Sequence, residues 1–276
     1  MAEELAGKVA LITGAGRGVG RATAMAFAAA GADLVLLDVA GNIAGVPYDL
    51  ASESQLRATA ELCEARGVAV QAVIADVRKQ PDMARAVQGA IGRFGRIDVL
   101  VNNAGIAAPS GAILHEVGED EWQVMLDINL TGAWRAIKEV APGMVARRSG
   151  SIINIASTAG VVAYRHFAGY VATKHGLVGL TKAAALDYAP YRVRVNAICP
   201  GSIRDDRGVE GKMLGEIANA LGVDDNEYES IFTQSQPNNN LLTPEDVAKA
   251  ALWLASDQSS RMVGGVITLD GGFSIR

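Results

Sequence analysis

Short apolar runs separated by amphipathic stretches recur along the whole 276-residue chain. Residues 8–12 (Lys-Val-Ala-Leu-Ile) end at a glycine-rich turn, and residues 21–30 follow with helix formers that Gly31 stops. The same strand, turn and helix pattern then repeats. Residues 34–37 run into Asp38, residues 68–74 into Asp76, and residues 99–101 into Asn102-Asn103-Ala104-Gly105. Residues 151–155 precede Ser157, residues 193–198 precede Pro200-Gly201, and residues 266–269 precede Asp270, which makes seven strand candidates. Strands that alternate with helices predict an α/β, doubly wound sheet of about seven parallel strands with helices on both faces. Ligands of such a sheet sit at the carboxyl ends of its strands.

Two segments break the alternation. Residues 39–52 are rich in Gly, Asn and Pro and read as an inserted loop. Residues 202–241 combine charged, helix-like pieces with the polar tract Gln234-Ser235-Gln236-Pro237-Asn238-Asn239-Asn240, as expected of a substrate loop or lid. No linker or internal repeat divides the chain, so residues 1–276 are expected to form a single domain.

Composition narrows the class. Half of the residues are apolar and a fifth charged, which suits a sheet covered on both faces. A formal net charge of −5 and an isoelectric point near 5.3 argue against a nucleic-acid partner, which needs a clustered basic face. The acidic N-terminus lacks the layout of a secretory signal, and the most apolar stretch, residues 22–32, is about half of a membrane span. A cytoplasmic protein without a membrane partner is expected. Cys63 and Cys199 lie far apart and in no metal-ligand spacing, so both read as reduced structural thiols, and no metal site is expected.

The chemistry begins with Tyr170-Val171-Ala172-Thr173-Lys174. On a helix, a spacing of four places the phenol and the ammonium on one face, about one turn apart. A Lys beside a Tyr favours the phenolate, which brings a group that titrates near pH ~10 towards use as an acid and base at a carbonyl or carbinol oxygen. Ser157, just past a strand end, can hold that oxygen opposite Tyr170. The turn Gly14-x-x-x-Gly18-x-Gly20, which carries Arg17 and Val19, departs from the usual G-x-G-x-x-G order. It still lets backbone approach a pyrophosphate and aims a helix N-terminus at its charge. Asp38 can accept from both ribose hydroxyls of an adenosine and would repel a 2′-phosphate, which favours NAD over NADP; Arg17 pulls weakly the other way. Asp76-Val77 is placed to meet the adenine edge, and Asn103-Ala104-Gly105 offers small side chains where a cofactor runs close to backbone. His115, His166 and His175 form no cluster; His166 and Tyr164 either line a substrate pocket or sit in an exposed loop. Trp122 and Trp134 read as packing residues on helical segments.

Thr13 to Gly20, Asp76, Asn102 to Gly105, Asn129, Ser157, Tyr170-x-x-x-Lys174 and Pro200-Gly201, in this order, resemble the classical short-chain dehydrogenase/reductase family over nearly the whole chain. The resemblance implies a Rossmann-like single domain and hydride transfer between NAD and a secondary alcohol or ketone, in a homotetramer. It implies Tyr170 as general acid/base, Lys174 as the group that lowers its pKa and holds the nicotinamide ribose, Ser157 on the substrate oxygen, and Asn129 in a water-linked proton relay to Lys174. Pro200, Gly201 and Ile203 would line the nicotinamide end of the cofactor site. Two departures matter. Asp205-Asp206 stands where the family usually has a hydroxyl residue, and would disfavour an anionic substrate if it faces the pocket. The inserted loop, including Val46-Pro47-Tyr48, resembles the carveol-dehydrogenase-like subgroup associated with mycofactocin, although the Pro200-Gly201 segment does not. In that subgroup NAD is held without ready exchange, so an enzyme that passes electrons from bound NAD to an external carrier is the alternative. A dinucleotide-binding sensor without turnover is a third reading, against which the intact Asn129, Ser157, Tyr170 and Lys174 set speaks.

Overall fold

The computed structural model describes residues 4–205, 213–224 and 226–275. Seven strands form one parallel sheet in the order β3-β2-β1-β4-β5-β6-β7. They are β1 (Val9–Thr13), β2 (Asp33–Asp38), β3 (Val70–Ile74), β4 (Val99–Asn102), β5 (Gly150–Ile155), β6 (Val193–Pro200) and β7 (Val266–Leu269). The order reverses between β1 and β4. That reversal opens a crevice outside the carboxyl ends of these strands, where a doubly wound sheet binds its ligand.

Side chains two apart on a strand share a face, and the core divides accordingly. Val9, Leu11, Val35, Leu37, Leu100 and Ile152 pack with Met83 and Val87 of α3 (Gln80–Phe94) and with Ile137, Val140 and Met144 of α5 (Gly132–Arg147). Ala10, Ile12, Leu34, Leu36, Val101 and Ile153 pack on the other face. Their partners there include Phe27 of α1 (Gly18–Ala29), Leu56 of α2 (Glu53–Glu64) and Val247, Ala251 and Leu254 of α9 (Pro244–Ala255). Both faces are covered, which is why the strands read as continuous apolar runs.

The elements that shape the site have local causes. Helix α1 begins at Gly18, three residues before the first strong helix former, because the glycines themselves make its first turn. Gly20 has no room for a side chain: a Cβ there would lie 2.0 Å from the Gly14 carbonyl oxygen. Helix α4 (Glu119–Leu126) runs through a π-helical turn, Asp127–Thr131, into α5, and this turn carries Asn129. Helix α6 (Ala168–Tyr188) carries Tyr170 and Lys174 and is fixed to the sheet by a buried polar chain. In it Asn102 Nδ2 donates to Asn154 Oδ1 (2.8 Å), Asn154 Nδ2 to Thr181 Oγ1 (2.8 Å), and the Thr181 hydroxyl to the Leu177 carbonyl (2.8 Å).

Residues 39–52 are a loop, as expected, but a folded one. Asn42 Nδ2 donates to Asp49 Oδ1 (2.7 Å), Leu50 N donates to Asn42 Oδ1 (3.0 Å), and Ile43, Val46, Tyr48 and Leu50 join the core of one sheet face. Within the 202–241 segment two helices stand out, α7 (Met213–Ala220) and α8 (Tyr228–Ser235). Asp206, half of the acidic pair, lies outside the described residues.

Candidate active site

A cavity of about 450 Å³ opens at the crevice, bounded by the glycine turn, the inserted loop, the Asn103 to Gly105 loop, the first turns of α6, and helices α7 and α8. Of the residues read from the sequence, Gly14, Arg17, Gly18, Val19, Asp38, Asp76, Val77, Asn103, Ala104, Gly105, Ser157, Tyr170, Lys174, Pro200, Gly201 and Ile203 line it. Gly20 and Asn129 support its wall from behind.

At one end, helix α1 starts with no side-chain cap and no acidic residue in its first turn, so its leading N–H groups and their partial positive charge face the cavity uncompensated. The turn is held in shape by Asn103, whose amide donates to the carbonyls of Thr13 and Gly14 (both 3.0 Å), while Thr13 Oγ1 accepts from Asn103 N (3.0 Å) and Ala104 N (3.1 Å). Asn103 thus braces the turn with its side chain. At the end of β2, Asp38 Oδ2 accepts from Gly16 N (2.9 Å) and Oδ1 from Ala40 N (3.3 Å). Burial raises the Asp38 carboxyl above its ordinary range, opposed by these N–H groups and by the charge of Arg17. The Arg17 guanidinium donates to the Asp49 carbonyl in the inserted loop (2.7 Å), which directs it to that loop. For Asp76, burial would raise the carboxyl, but the Arg78 guanidinium and main-chain N–H together hold it below its usual value. This donor set fits a dinucleotide: uncapped helix N–H groups for a pyrophosphate, close-packed glycine backbone beneath it, and a carboxylate at the ribose end.

At the other end stand Ser157, Tyr170 and Lys174. Ser157 follows β5, its Oγ accepts from Ala159 N (3.1 Å), and it shares a hydrogen bond with Tyr170. Its main-chain N–H bonds to the buried Cys199 sulfur, a contact that no spacing announced. Lys174 Nζ lies 5.6 Å from the centre of the Tyr170 ring and donates to the Ile155 carbonyl (3.0 Å). Burial dominates both groups. It pushes the Tyr170 phenol up to about 12, with Ser157 opposing, and the Lys174 ammonium down to about 8. The expected lowering of the phenol by Lys174 is not seen: loss of solvent raises it, and the group that opposes the rise is Ser157. The direct hydrogen bonds of the Asn129 side chain go to the segment after Gly105 and to α6: Oδ1 accepts from Ile106 N (2.8 Å), and Nδ2 donates to the Ile106 carbonyl (2.9 Å) and to Thr173 Oγ1 (3.3 Å). It fixes the segment after Gly105 against α6.

Tyr164 lines the cavity, its hydroxyl 2.7 Å from Thr158 Oγ1 and its ring stacked 5.8 Å from Phe273. His166 is exposed at φ 66°, and its carbonyl accepts from Gly111 N (2.8 Å), so of the two candidates only Tyr164 meets the cavity. His175 is exposed and turned away from Lys174. Trp122 is half-buried as a packing residue, but Trp134 is 44 % exposed with Lys138 over its ring, contrary to expectation. Sequence reasoning also missed the reach of Tyr48. Its hydroxyl oxygen accepts from Ala107 N (3.3 Å), and its burial pushes the phenol to about 12. Among the described residues there is no cluster of metal-ligating side chains, and no helix is long and apolar enough to cross a membrane.

A doubly wound sheet with a dinucleotide cradle and a Ser-Tyr-Lys constellation at one crevice defines a class of nicotinamide-dependent oxidoreductases. Known proteins agree with that definition. The family model described as Enoyl-(Acyl carrier protein) reductase matches residues 14–274. The chain is 39% identical over 276 residues to the oxidoreductase UcpA of Escherichia coli K12, covering 99% of this chain and 96% of that one. It is 35% identical over 275 residues to (-)-trans-carveol dehydrogenase of Rhodococcus erythropolis, covering 98% of each. A crystal structure of carveol dehydrogenase from Mycobacterium avium with NAD superposes with a TM-score of 0.92 at 32% identity over 99% of both chains. The chain belongs to the short-chain dehydrogenase/reductase family and is an oxidoreductase.

Proposed function

We propose that this enzyme uses NAD(H) to interconvert a secondary alcohol and a ketone on a small, largely apolar substrate. The observation that carries this is the convergence of Ser157, Tyr170 and Lys174 at one end of a cavity whose other end is a dinucleotide cradle. NAD would be held by the N–H groups of α1, by Asp38 and by the strand ends from Val77 to Gly105, with Lys174 near its nicotinamide ribose. When bound, it supplies the hydride donor or acceptor.

The chain's own residues handle the proton. In the reducing direction the Tyr170 hydroxyl donates to the substrate oxygen as negative charge develops there, and Ser157 holds that oxygen in reach. In the oxidising direction Tyr170 takes the carbinol proton, and the Lys174 ammonium stabilises the phenolate that this leaves. Asn129 acts as a brace for the wall that carries these groups. Met213, Leu214, Ile217 and Phe232 give the substrate end its apolar lining. Crossing an alcohol and ketone panel with NAD and NADP, and following the absorbance of the reduced nicotinamide, tests the reading. Turnover with NADP alone, or with no secondary alcohol, overturns it.

A second reading has its own support: the inserted loop reaches from Asp38 to Ala107, fastened through Arg17 to Asp49 and through Tyr48 to Ala107. A loop so placed would slow cofactor exchange, and the enzyme would then pass electrons from retained NAD to an external carrier. Denaturing freshly purified, extensively dialysed protein and assaying the released nucleotide separates the two. Stoichiometric NAD favours retention, and an empty supernatant favours exchange. A homotetrameric, cytoplasmic enzyme completes the proposal. The exposed Trp134 of α5 and Leu186 of α6, the latter 79 % exposed, give one face of the molecule an apolar surface for a second copy.

A further inference from the structure

The 202–241 segment leaves the sheet and returns to it through a narrow neck. Ile203 pairs in parallel with Leu242, Leu242 N donates to the Ser202 carbonyl (3.0 Å), and Arg204 N donates to the Leu242 carbonyl (2.8 Å). Buried Gln236 adds a longer contact, Nε2 to Ser202 Oγ (3.4 Å). The neck fixes where the segment starts and ends. It does not fix where α7 and α8 lie over the cavity.

Asp205 is the first side chain beyond that neck. Its Oδ1 accepts from Leu214 N (2.9 Å), and its Oδ2 accepts from Gly215 N (2.8 Å) and from the Tyr228 hydroxyl (3.3 Å). One carboxylate thus gathers donors from both helices. Two of them are N–H groups in the first turn of α7, where the helix dipole favours a negative charge. Among the described residues, Arg204 and Glu229 are charged neighbours that pair with each other at 2.8 Å on the more exposed side. Exposed pairs of this kind contribute little, so the half-buried, charge-assisted bonds of Asp205 dominate. Met213, Leu214, Ile217 and Leu221 line the cavity on or just after α7, and Phe232 does so on α8. The far end of α7 rests on the loop after β4, where a Cβ on Gly111 would come within 2.8 Å of the Ala220 carbonyl oxygen.

We propose that Asp205 is a positioning residue that holds the α7–α8 pair against the neck and so sets the shape of the substrate end of the cavity. The position at which the family usually has a hydroxyl residue has here been given to the lid. Asp205 lines the cavity, and its carboxylate oxygens are taken up by donors of α7 and α8. An apolar roof held by one carboxylate acts on the ground state and transition state of the substrate alike, so its loss raises KM and leaves kcat nearly unchanged.

The test uses Asp205→Asn, Asp205→Thr and Tyr228→Phe in the full chain. Hydrogen exchange of peptides covering residues 213–221 and 228–235 is followed, together with NAD affinity and the KM and kcat of the best alcohol. Asp205→Asn and Asp205→Thr are expected to speed exchange in both helices and to raise KM about tenfold, as the loss of one charge-assisted hydrogen bond implies. NAD affinity should stay within about twofold, and Tyr228→Phe should act in the same direction with smaller size. Weakened NAD binding that Thr restores would overturn the proposal in favour of a nicotinamide contact. Unchanged exchange in α7 and α8 would overturn it as well. The KM arm rests on the alcohol/ketone reading, whereas the exchange arm does not, so failure to find an alcohol substrate leaves the role of Asp205 decidable.

Discussion

At Tyr170 and Lys174 a single cause, loss of solvent, moves two neighbouring groups in opposite directions. The phenol rises to about 12 and the ammonium falls to about 8. The linkage to stability has opposite signs in two windows. Between about pH 8 and the unfolded lysine value of 10.5, the unfolded chain binds more protons than the folded one at Lys174, so stability rises with pH. Between 10.0 and about 12 the folded chain keeps the Tyr170 proton that the unfolded one loses, so stability falls. Lys174→Met should therefore abolish turnover and yet raise the melting temperature at neutral pH. That advantage should shrink as pH climbs from 8 to 10 in thermal unfolding scans; a variant destabilised equally at every pH would contradict the burial cost inferred for Lys174. Tyr170→Phe should lower kcat by about a thousandfold or more with NAD affinity kept, as measured by steady-state kinetics and nucleotide titration. The spacing of these residues was legible because four positions on a helix fix a shared face. The direction of the phenol's shift was not, since burial depends on how distant segments of the chain pack around it. Nor could the sequence say that the Asn129 amide meets Ile106 or that Arg17 meets Asp49, both contacts between residues more than twenty positions apart.

Among the elements, regular ones announced themselves and irregular ones did not. Buried parallel strands produce unbroken apolar runs, so all seven were legible, as was the single-layer sheet they form. The inserted loop was legible as an interruption only. Val46, Tyr48 and Leu50 alternate, but Ile43 is out of step with them and Gly, Pro and Asn interrupt the stretch, so the pattern does not reveal that all four face the core. The consequence can be measured at Tyr48. Replacing it by Ala removes both the ring and the acceptor for Ala107 N, and is expected to speed NAD release at least tenfold in stopped-flow displacement. An unchanged off-rate would leave the loop without a part in cofactor retention. Gly20→Ala should be severe, with cofactor binding lost, because the added methyl would overlap the Gly14 carbonyl. Circular dichroism close to wild type would show whether that loss is local to the turn.

The molecule as a whole places the glycine turn and the Ser157, Tyr170 and Lys174 constellation along one edge of a sheet buried on both sides. The Asn102, Asn154 and Thr181 chain ties α6 through β5 to β4, so the helix that carries Tyr170 and Lys174 is referenced to the strand at which the order reverses. Assembly belongs to this scale. If α5 and α6 meet their counterparts in a second copy, Leu186→Glu should lower the mass seen by light scattering from a tetramer to a smaller species; an unchanged mass would direct attention to another face. The polar chain from β4 to α6 was hidden from sequence reasoning because each of its members is individually a common residue on an ordinary element. Partnership across 27 to 52 positions gives them their role. The neck at Ile203 and Leu242 has a longer reach than the present substrate. Because the two ends of the segment are stitched to each other and to the framework, its interior can lengthen, shorten or be replaced with little strain on β6 or α9. Such a joint makes the segment a modular cassette, through which the same oxidoreductase chassis can be refitted by recombination.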